Sequence, residues 1–586
     1  MELMEHTMAD HEYDIVIRGG TIIDGSGGEP FVGDLAIRGN IIAAVGEVAG
    51  SGAEEIDAAG RIVTPGFVDI HTHYDGQITW ESRLAPSSAH GITTVVMGNC
   101  GVGFAPARPE QREMMIRMME GVEDIPEAVM SEGLPWNWET FPEYLDAIEQ
   151  RHADIDFAAQ LPHNPLRVYV MGQRGADCEP PTAVDLAQMR ALTAEAMRAG
   201  AVGVTTTRHL AHRYRDGRNV PTVSSEVGEL LALAEGLHDA GTGVIEMLGD
   251  DRISGEDTVA LLRLLAETSG RPLSFTLTQP ANGGDRWRVI LDGIAEANAD
   301  GLEIKAQVMP RPVGILIGLD LSLHPFAFHP SFREIAHLPL VEKVKAMRDP
   351  DMRRRLMSEQ SDDPNAFFKS VVDDTDWLFP LGDPPNYHPD AEDSIAATAR
   401  RAELDPREAI YDELLKDEGR AVLYRPSANR FGERFEGAGQ AFLKDPNVLL
   451  GLSDGGAHYG MICDGALPTY FLTHWAAHPD PAKRVELPRA IRMLASDTAR
   501  AVGFEDRGRI APGMKADINV IDLARLRLHA PRPVYDLPAG GRRLVQDAVG
   551  YDLTIVSGQV TYRAGQSTGV LPGRLVRGAR AAPVAA

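Results

Sequence analysis

Cysteine is scarce. The 586 residues hold three, Cys100, Cys178 and Cys463, too few to frame a chain of this size with disulfides and in keeping with a reducing compartment. Long apolar runs are missing as well: no stretch approaches the roughly 20 uninterrupted apolar residues that cross a bilayer. The first dozen residues carry no basic segment followed by an apolar one, so no secretory signal is read and a cytoplasmic location is expected. Positive charge is in deficit, with 57 basic against 85 acidic residues and a net charge of −28. Such a balance repels phosphate backbones and anionic lipid. Nucleic acid and membrane surfaces are therefore not expected partners, whereas a small molecule is; assembly into homo-oligomers is left open.

What is present is the ordinary material of a globular protein, 44% hydrophobic and 24% charged. The length implies two or more domains, or one large barrel with an accessory module. From Tyr13 to Val63 the chain reads as short strands separated by glycine turns, and the texture returns in Asp517–Asp522 and Leu553–Val560. The two ends are expected to form one small β module, residues 12–65 with 505–570.

Between them, apolar strand-like runs recur at 66–73, 92–98, 156–161, 201–207, 241–248, 272–279, 303–309 and 447–453. Most are separated by helical patterns, such as Val184–Leu192 ending near Gly200 and Glu229–Ala234 ending near Gly241. Parallel buried strands alternating with helices point to a (β/α)8 barrel over 66–504, with a doubly wound open sheet as the alternative. Before the last strand a block at 312–446 is far too long for a loop and must fold by itself. It is expected to be helical and to stand over the C-terminal face of the barrel, where it can act as a lid.

One strand carries the strongest chemical signal. In Val68-Asp69-Ile70-His71-Thr72-His73-Tyr74-Asp75 the two histidines alternate, so both rings leave the strand on one face and can close on one metal ion. Asp454 follows the apolar run Val448–Ser453 and precedes a Gly-Gly pair. A carboxylate there can bind metal and take a proton from water, or simply serve a turn. Cys100 ends the second barrel strand, where a thiolate can ligate or bridge metal; the alternative is a small buried hydrophobe.

Taken in order, Gly66–His73, Gly91–Gly101, His163 with Leu166-Arg167, and Ser453-Asp454-Gly455 resemble the amidohydrolase superfamily, and within it the N-acyl-D-amino-acid deacylase (D-aminoacylase) branch. The flanking segments Ile17–Gly25 and Pro512–Asp517 match too, so the likeness spans nearly the whole chain. The resemblance implies a distorted (β/α)8 barrel with a small β-sandwich built from both termini, and metal-assisted hydrolysis of an amide. It implies His71 and His73 as metal ligands, Cys100 as ligand or bridge, and Asp454 as general acid/base.

The chain also departs from that pattern. The branch usually draws two further histidine ligands from the fifth and sixth strands, and neither Gly243–Leu248 nor Leu273–Gln279 contains one. The fourth strand, Val202–Arg208, lacks the lysine that other branches carbamylate. One ion is therefore expected, bound through His71, His73 and Asp454 with water completing the shell, zinc by its fit to imidazole and thiolate with other divalent metals as alternatives, and with Glu246 a stand-in oxygen ligand and His209 or His212 reaching in from the loop after the fourth strand. His163 and His458 are placed as residues that steady an oxyanion or orient Asp454, or else as packed histidines. Arg213, Arg215 and Arg218 are placed as a grip on a substrate carboxylate, or else as a solvated charge run.

The expected activity is hydrolysis of a linear amide, with N-acyl-D-amino acids as the expected substrates. The alternatives are a cyclic or other amide-bearing small molecule, and a barrel scaffold that has lost its metal and its catalysis.

Overall fold

The computed structural model describes residues 11–279, 284–362, 369, 372–430 and 437–583. The first ten residues, on which the absence of a secretory signal was partly read, lie outside it. Strands from both ends of the chain form one sheet. The N-terminal strands are β1 (Tyr13–Ile22), β2 (Phe31–Arg38), β3 (Ile41–Gly46), β4 (Gly52–Asp57) and β5 (Ile62–Pro65). Gly19-Gly20, read as a turn, instead makes a bulge inside a single β1: the register with β2 shifts between Ile17 and Gly20, and Gly19 sits at φ +64°. No side chain fits at Gly20, where a Cβ would lie 2.5 Å from Val63.

Next come the staves of a barrel: β6 (Phe67–Thr72), β7 (Ile92–Met97), β8 (Asp156–Ala159), β9 (Leu161–Pro162), β10 (Gly203–Thr207), β11 (Val244–Leu248), β12 (Leu273–Thr276), β13 (Ile304–Val308) and β14 (Val448–Leu450). Strands β6 and β7 are buried at every position, which is why they show no alternation of apolar and exposed polar residues. Gln160 separates β8 from β9, which together act as the third stave. The open-sheet alternative falls because the ends meet: Asp454 N–H donates to the His71 carbonyl at 3.1 Å and His73 N–H to the Gly455 carbonyl at 2.7 Å. The protein is a TIM-type barrel with a small β unit.

The sheet is completed by β15 (Ile518–Ile521), β16 (Tyr551–Val556), β17 (Gln559–Arg563) and β18 (Gln566–Ser567), in the order β18-β17-β16-β15-β5-β1-β2-β3 with β4 beside β1. Four helices matter below: α1 (Arg112–Glu123), α2 (His163–Met171), α3 (Ala183–Ala199) and α4 (Val227–Ala240). Thr182 and Asp185 form a capping box that starts α3, and Gly200 at φ +112° ends it.

The block before β14 is not wholly helical. It contains a three-stranded antiparallel sheet of Val313–Ile317, Leu423–Ala428 and Phe379–Pro380, besides helices such as Leu340–Met347 and Pro350–Ser358. These strands are short and far apart in the chain, so no local period announces them. The block has its own apolar cluster around Phe326, Met347, Leu356 and Tyr411. Paired hydrogen bonds between Asn429 and Gln279 fasten it beyond the end of β12. Among the described residues no helix is long and apolar enough to cross a membrane.

Candidate metal centre

The C-terminal end of β6 and the turn after β14 build the site together. His71 and His73 leave one face of the strand, their ring centroids 5.7 Å apart. Asp454 Oδ1 stands between them, 3.4 Å from His71 Nε2 and 3.7 Å from His73 Nε2. Cys100 Sγ lies 3.3 Å from His71 Nε2. Among the described residues, His71, His73 and Cys100 bring three ligand atoms within 4.8 Å of one another.

Backbone strain is concentrated here. Cys100, Asp454 and His458 adopt φ of +55°, +48° and +51°, a left-handed conformation that costs non-glycine residues on the order of 1–3 kcal/mol each. The turn after Asp454 is packed rather than loose: Gly455 and Gly456 are buried, and a Cβ on Gly456 would lie 2.9 Å from the Tyr74 backbone nitrogen. Ser453 Oγ donates to Asp69 Oδ2 and to the His71 carbonyl, and Asp69 accepts the His71 N–H, so the two strand ends are held by side chains as well as backbone.

His71 is oriented by a residue the sequence did not single out. Gln307 Nε2 donates to Ser274 Oγ at 2.8 Å, which turns Gln307 Oε1 toward His71 Nδ1 at 3.0 Å. His71 then carries its proton on Nδ1 and presents the Nε2 lone pair to the cluster. Glu123 was also missed. It arrives at the end of α1, 1% exposed, with Oε1 3.5 Å from His73 Nδ1 and Oε2 3.4 Å from His458 Nε2. No motif surrounds it, so nothing in the chain pointed to it.

The electrostatics describe a cage that wants a cation. Burial raises the Asp454 carboxyl, but His73, His71 and His458 outweigh it and hold it well below the usual carboxylate range. Burial and the neighbouring carboxylates push Cys100, Glu123 and Glu246 upward. A bound divalent ion reverses that pressure, since it favours thiolate and carboxylate. Among the described residues, both nitrogens of His73, both carboxylate oxygens of Glu123, Glu246 Oε2 and Asp454 Oδ1 are buried without a hydrogen-bond partner. So many buried, unpartnered atoms of this chemistry fit the ligation of a divalent ion.

The remaining sequence candidates separate. Glu246 is at the edge, 4.0 Å from His71 Nδ1, and accepts from Thr276 Oγ1 at 3.2 Å. His212 lies ring to ring 5.8 Å from His209, its pKa lowered by burial and then by His209, His458 and His73, whereas His209 turns to Asp251 at 2.8 Å. His458 is present, its Nε2 3.4 Å from Glu123 Oε2, and burial lowers it to about 4 against the pull of Asp454.

Of the readings offered for His163, the contacts fit the packed histidine. Its Nδ1 bonds Thr206 Oγ1 and its Nε2 bonds Glu229 Oε1, both at 2.8 Å, so neither nitrogen is spare. It belongs to a buried ion cluster with Glu229 on α4 and Arg167 on α2. The three loop arginines make local contacts. Arg213 donates to the Leu210 and Gly217 carbonyls of its own loop, and Arg218 is exposed and paired with Asp216. Arg215 stacks over Phe328 of the inserted block.

Known proteins bear on this geometry. A family model described as Amidohydrolase family matches residues 54–562. An uncharacterized protein of Mycobacterium tuberculosis is 26% identical over 605 residues, 95% of this chain and 93% of its own. The N-acyl-D-glutamate deacylase of Alcaligenes xylosoxydans xylosoxydans is 31% identical over 302 residues, 51% of this chain and 57% of its own. Among solved structures, the N-acyl-D-glutamate deacylase from Bordetella bronchiseptica, complexed with zinc and a phosphonate inhibitor, superposes with a TM-score of 0.63. It is 23% identical and covers 96% of this chain and 99% of its own. At that identity the superposition speaks for the fold.

Proposed function

This chain belongs to the amidohydrolase family, and from that premise we propose that it hydrolyses the linear amide of an N-acyl-D-amino acid or a similar N-acyl small molecule at a single zinc ion. As a family member it is a metal-dependent hydrolase of carbon–nitrogen bonds. The observation that carries the finer reading is the convergence of two imidazoles, a thiol and an unpartnered carboxylate oxygen at one barrel end. Deacylases of N-acyl-D-amino acids among its relatives support the substrate class.

His71, His73 and Cys100 would hold the ion, with Asp454 beside it and Glu246 in reserve. When bound, a zinc ion there supplies Lewis-acid polarisation of the amide carbonyl and acidifies water. The residues do the rest. Asp454 Oδ1, ionised and facing both imidazoles, accepts the proton of the attacking water and returns it to the departing nitrogen. Gln307 keeps the His71 proton on Nδ1, so that ring does not compete as a proton donor. We read 12–65 with 505–570 as one β unit, 66–504 as the barrel, and 312–446 as the block that shapes the substrate pocket.

The test is a panel of N-acyl amino acids of both hands, with zinc, manganese and cobalt content measured on the same protein. Cleavage of D-configured N-acyl substrates by protein carrying one zinc is expected. Cleavage confined to cyclic amides replaces the substrate class. A metal-free protein that no added ion activates defeats the reading.

A further inference from the structure

We infer that Glu123 is a positioning residue, which turns His73 toward the ion and ties it to His458; this rests on the metal-centre reading above. An imidazole that coordinates through one nitrogen commonly donates the proton on the other to a carboxylate or carbonyl, and that acceptor fixes both tautomer and ring orientation. For His71 the acceptor is Gln307. For His73, Nε2 looks to Asp454 at 3.7 Å and Nδ1 looks to Glu123 Oε1 at 3.5 Å, and neither nitrogen has a hydrogen-bond partner. Glu123 is therefore to His73 what Gln307 is to His71.

The second oxygen makes the arrangement a clamp. Glu123 Oε2 lies 3.4 Å from His458 Nε2, and the His458 backbone N–H donates to the Glu123 carbonyl. One buried carboxylate thus joins the first barrel strand to the turn that carries Asp454. The end of α1 is pinned to that same turn: Asp124, at φ +51°, accepts from Gly460 N–H at 3.0 Å and from Ser322 Oγ at 2.8 Å. Ser322 belongs to the inserted block, so the block is hydrogen-bonded to the residue next to Glu123.

The experiment uses the full chain with E123Q and E123A. Zinc affinity is measured by chelator competition, and the cobalt(II)-loaded proteins are examined by proton NMR for the shifted, exchangeable Nδ1–H signals of ligating histidines. Gln keeps the acceptor oxygen and Ala removes it. E123A is expected to bind zinc about 10- to 100-fold more weakly and to lose one exchangeable signal, while E123Q stays close to wild type and keeps it. Wild-type affinity in E123A overturns the inference, and so does an E123Q as weak as E123A, which makes Glu123 a ligand by its charge. Should E123A not fold, E123Q decides: loss of the signal overturns, retention supports. Failure of the wild-type chain to take up zinc defeats the metal-centre reading and this inference together, whereas wild-type uptake with an unchanged E123A defeats the inference alone.

Discussion

Cys100 Sγ stands 3.3 Å from His71 Nε2, across the gap between the second and first barrel strands. The thiol reaches that point because its backbone is held in a left-handed turn. Gly101 N–H donates to Thr205 Oγ1, Asn164 donates to the Gly101 carbonyl, and Gln160 donates to Asn99. This is more support than a small packed hydrophobe requires. Cys100→Ser, which keeps the backbone geometry but offers a poorer ligand, is expected to weaken zinc binding by more than the about 10- to 100-fold that loss of a supporting residue costs. Chelator competition measures it, and unchanged affinity returns Cys100 to a packing role.

Asp454 can be tested without disturbing its turn. Its φ of +48° is tolerated by asparagine better than by most residues, so Asp454→Asn removes the proton acceptor and leaves the fold. A fall in kcat of about 10²- to 10⁴-fold is expected, with unfolding temperature preserved. Turnover near the wild-type level would remove Asp454 from proton transfer.

How much of this was legible in the chain follows from what each residue's neighbours are. The staves could be read because strands buried on both faces carry β-branched and apolar residues without alternation, as Ile92–Met97 does. His71 and His73 could be read because alternation alone places them on one face. Glu123 and Gln307 could not, since their role depends on where a helix end and a distant strand meet the site. Nor could the Arg213 contacts be read, since a charge in a loop does not disclose that its own carbonyls will accept from it.

The buried group around His163 predicts stability effects without catalytic ones. Arg167 and Glu229 are 1% and 0% exposed, and Arg167 also donates to the Glu179 carbonyl. Glu229→Gln leaves a buried guanidinium without its counter-charge, a defect worth about 3–5 kcal/mol. A large drop in unfolding temperature is expected, with zinc bound per folded molecule and kcat per bound zinc unchanged. A selective loss of kcat would put His163 back in the reaction.

Closure of the barrel at the metal predicts that one glycine is irreplaceable. Gly456 sits at φ +86°, and a Cβ there would lie 3.0 Å from the His73 carbonyl carbon and 2.9 Å from the Tyr74 nitrogen, both backbone atoms that cannot swing aside. Gly456→Ala is expected to destabilise by more than the about 1 kcal/mol that a strain-free exchange would gain and to weaken zinc binding by displacing His73. Thermal unfolding with and without zinc measures both, and a variant with wild-type affinity would show that the turn can shift without moving the ligand.

His90 supplies a pH dependence that is independent of the metal ligands. Burial lowers its pKa to about 4, outweighing the Gln546 carbonyl that favours the charged form. Its Nε2 donates to that carbonyl at 3.0 Å and its Nδ1 meets Thr469 Oγ1 at 2.8 Å, an arrangement that suits the neutral ring. An unfolded histidine takes up its proton near pH 6.5 and the folded one only near 4. Stability from this group is therefore complete above about pH 6.5 and lost as the pH falls toward 4, by about 3 kcal/mol in all. His90→Gln keeps a donor to the carbonyl and cannot titrate. In chelator-treated protein its unfolding temperature is expected to fall less steeply between pH 7 and 4.5 than that of the wild type, by the equivalent of one proton. Parallel curves for the two proteins would mean that His90 is already charged in the fold.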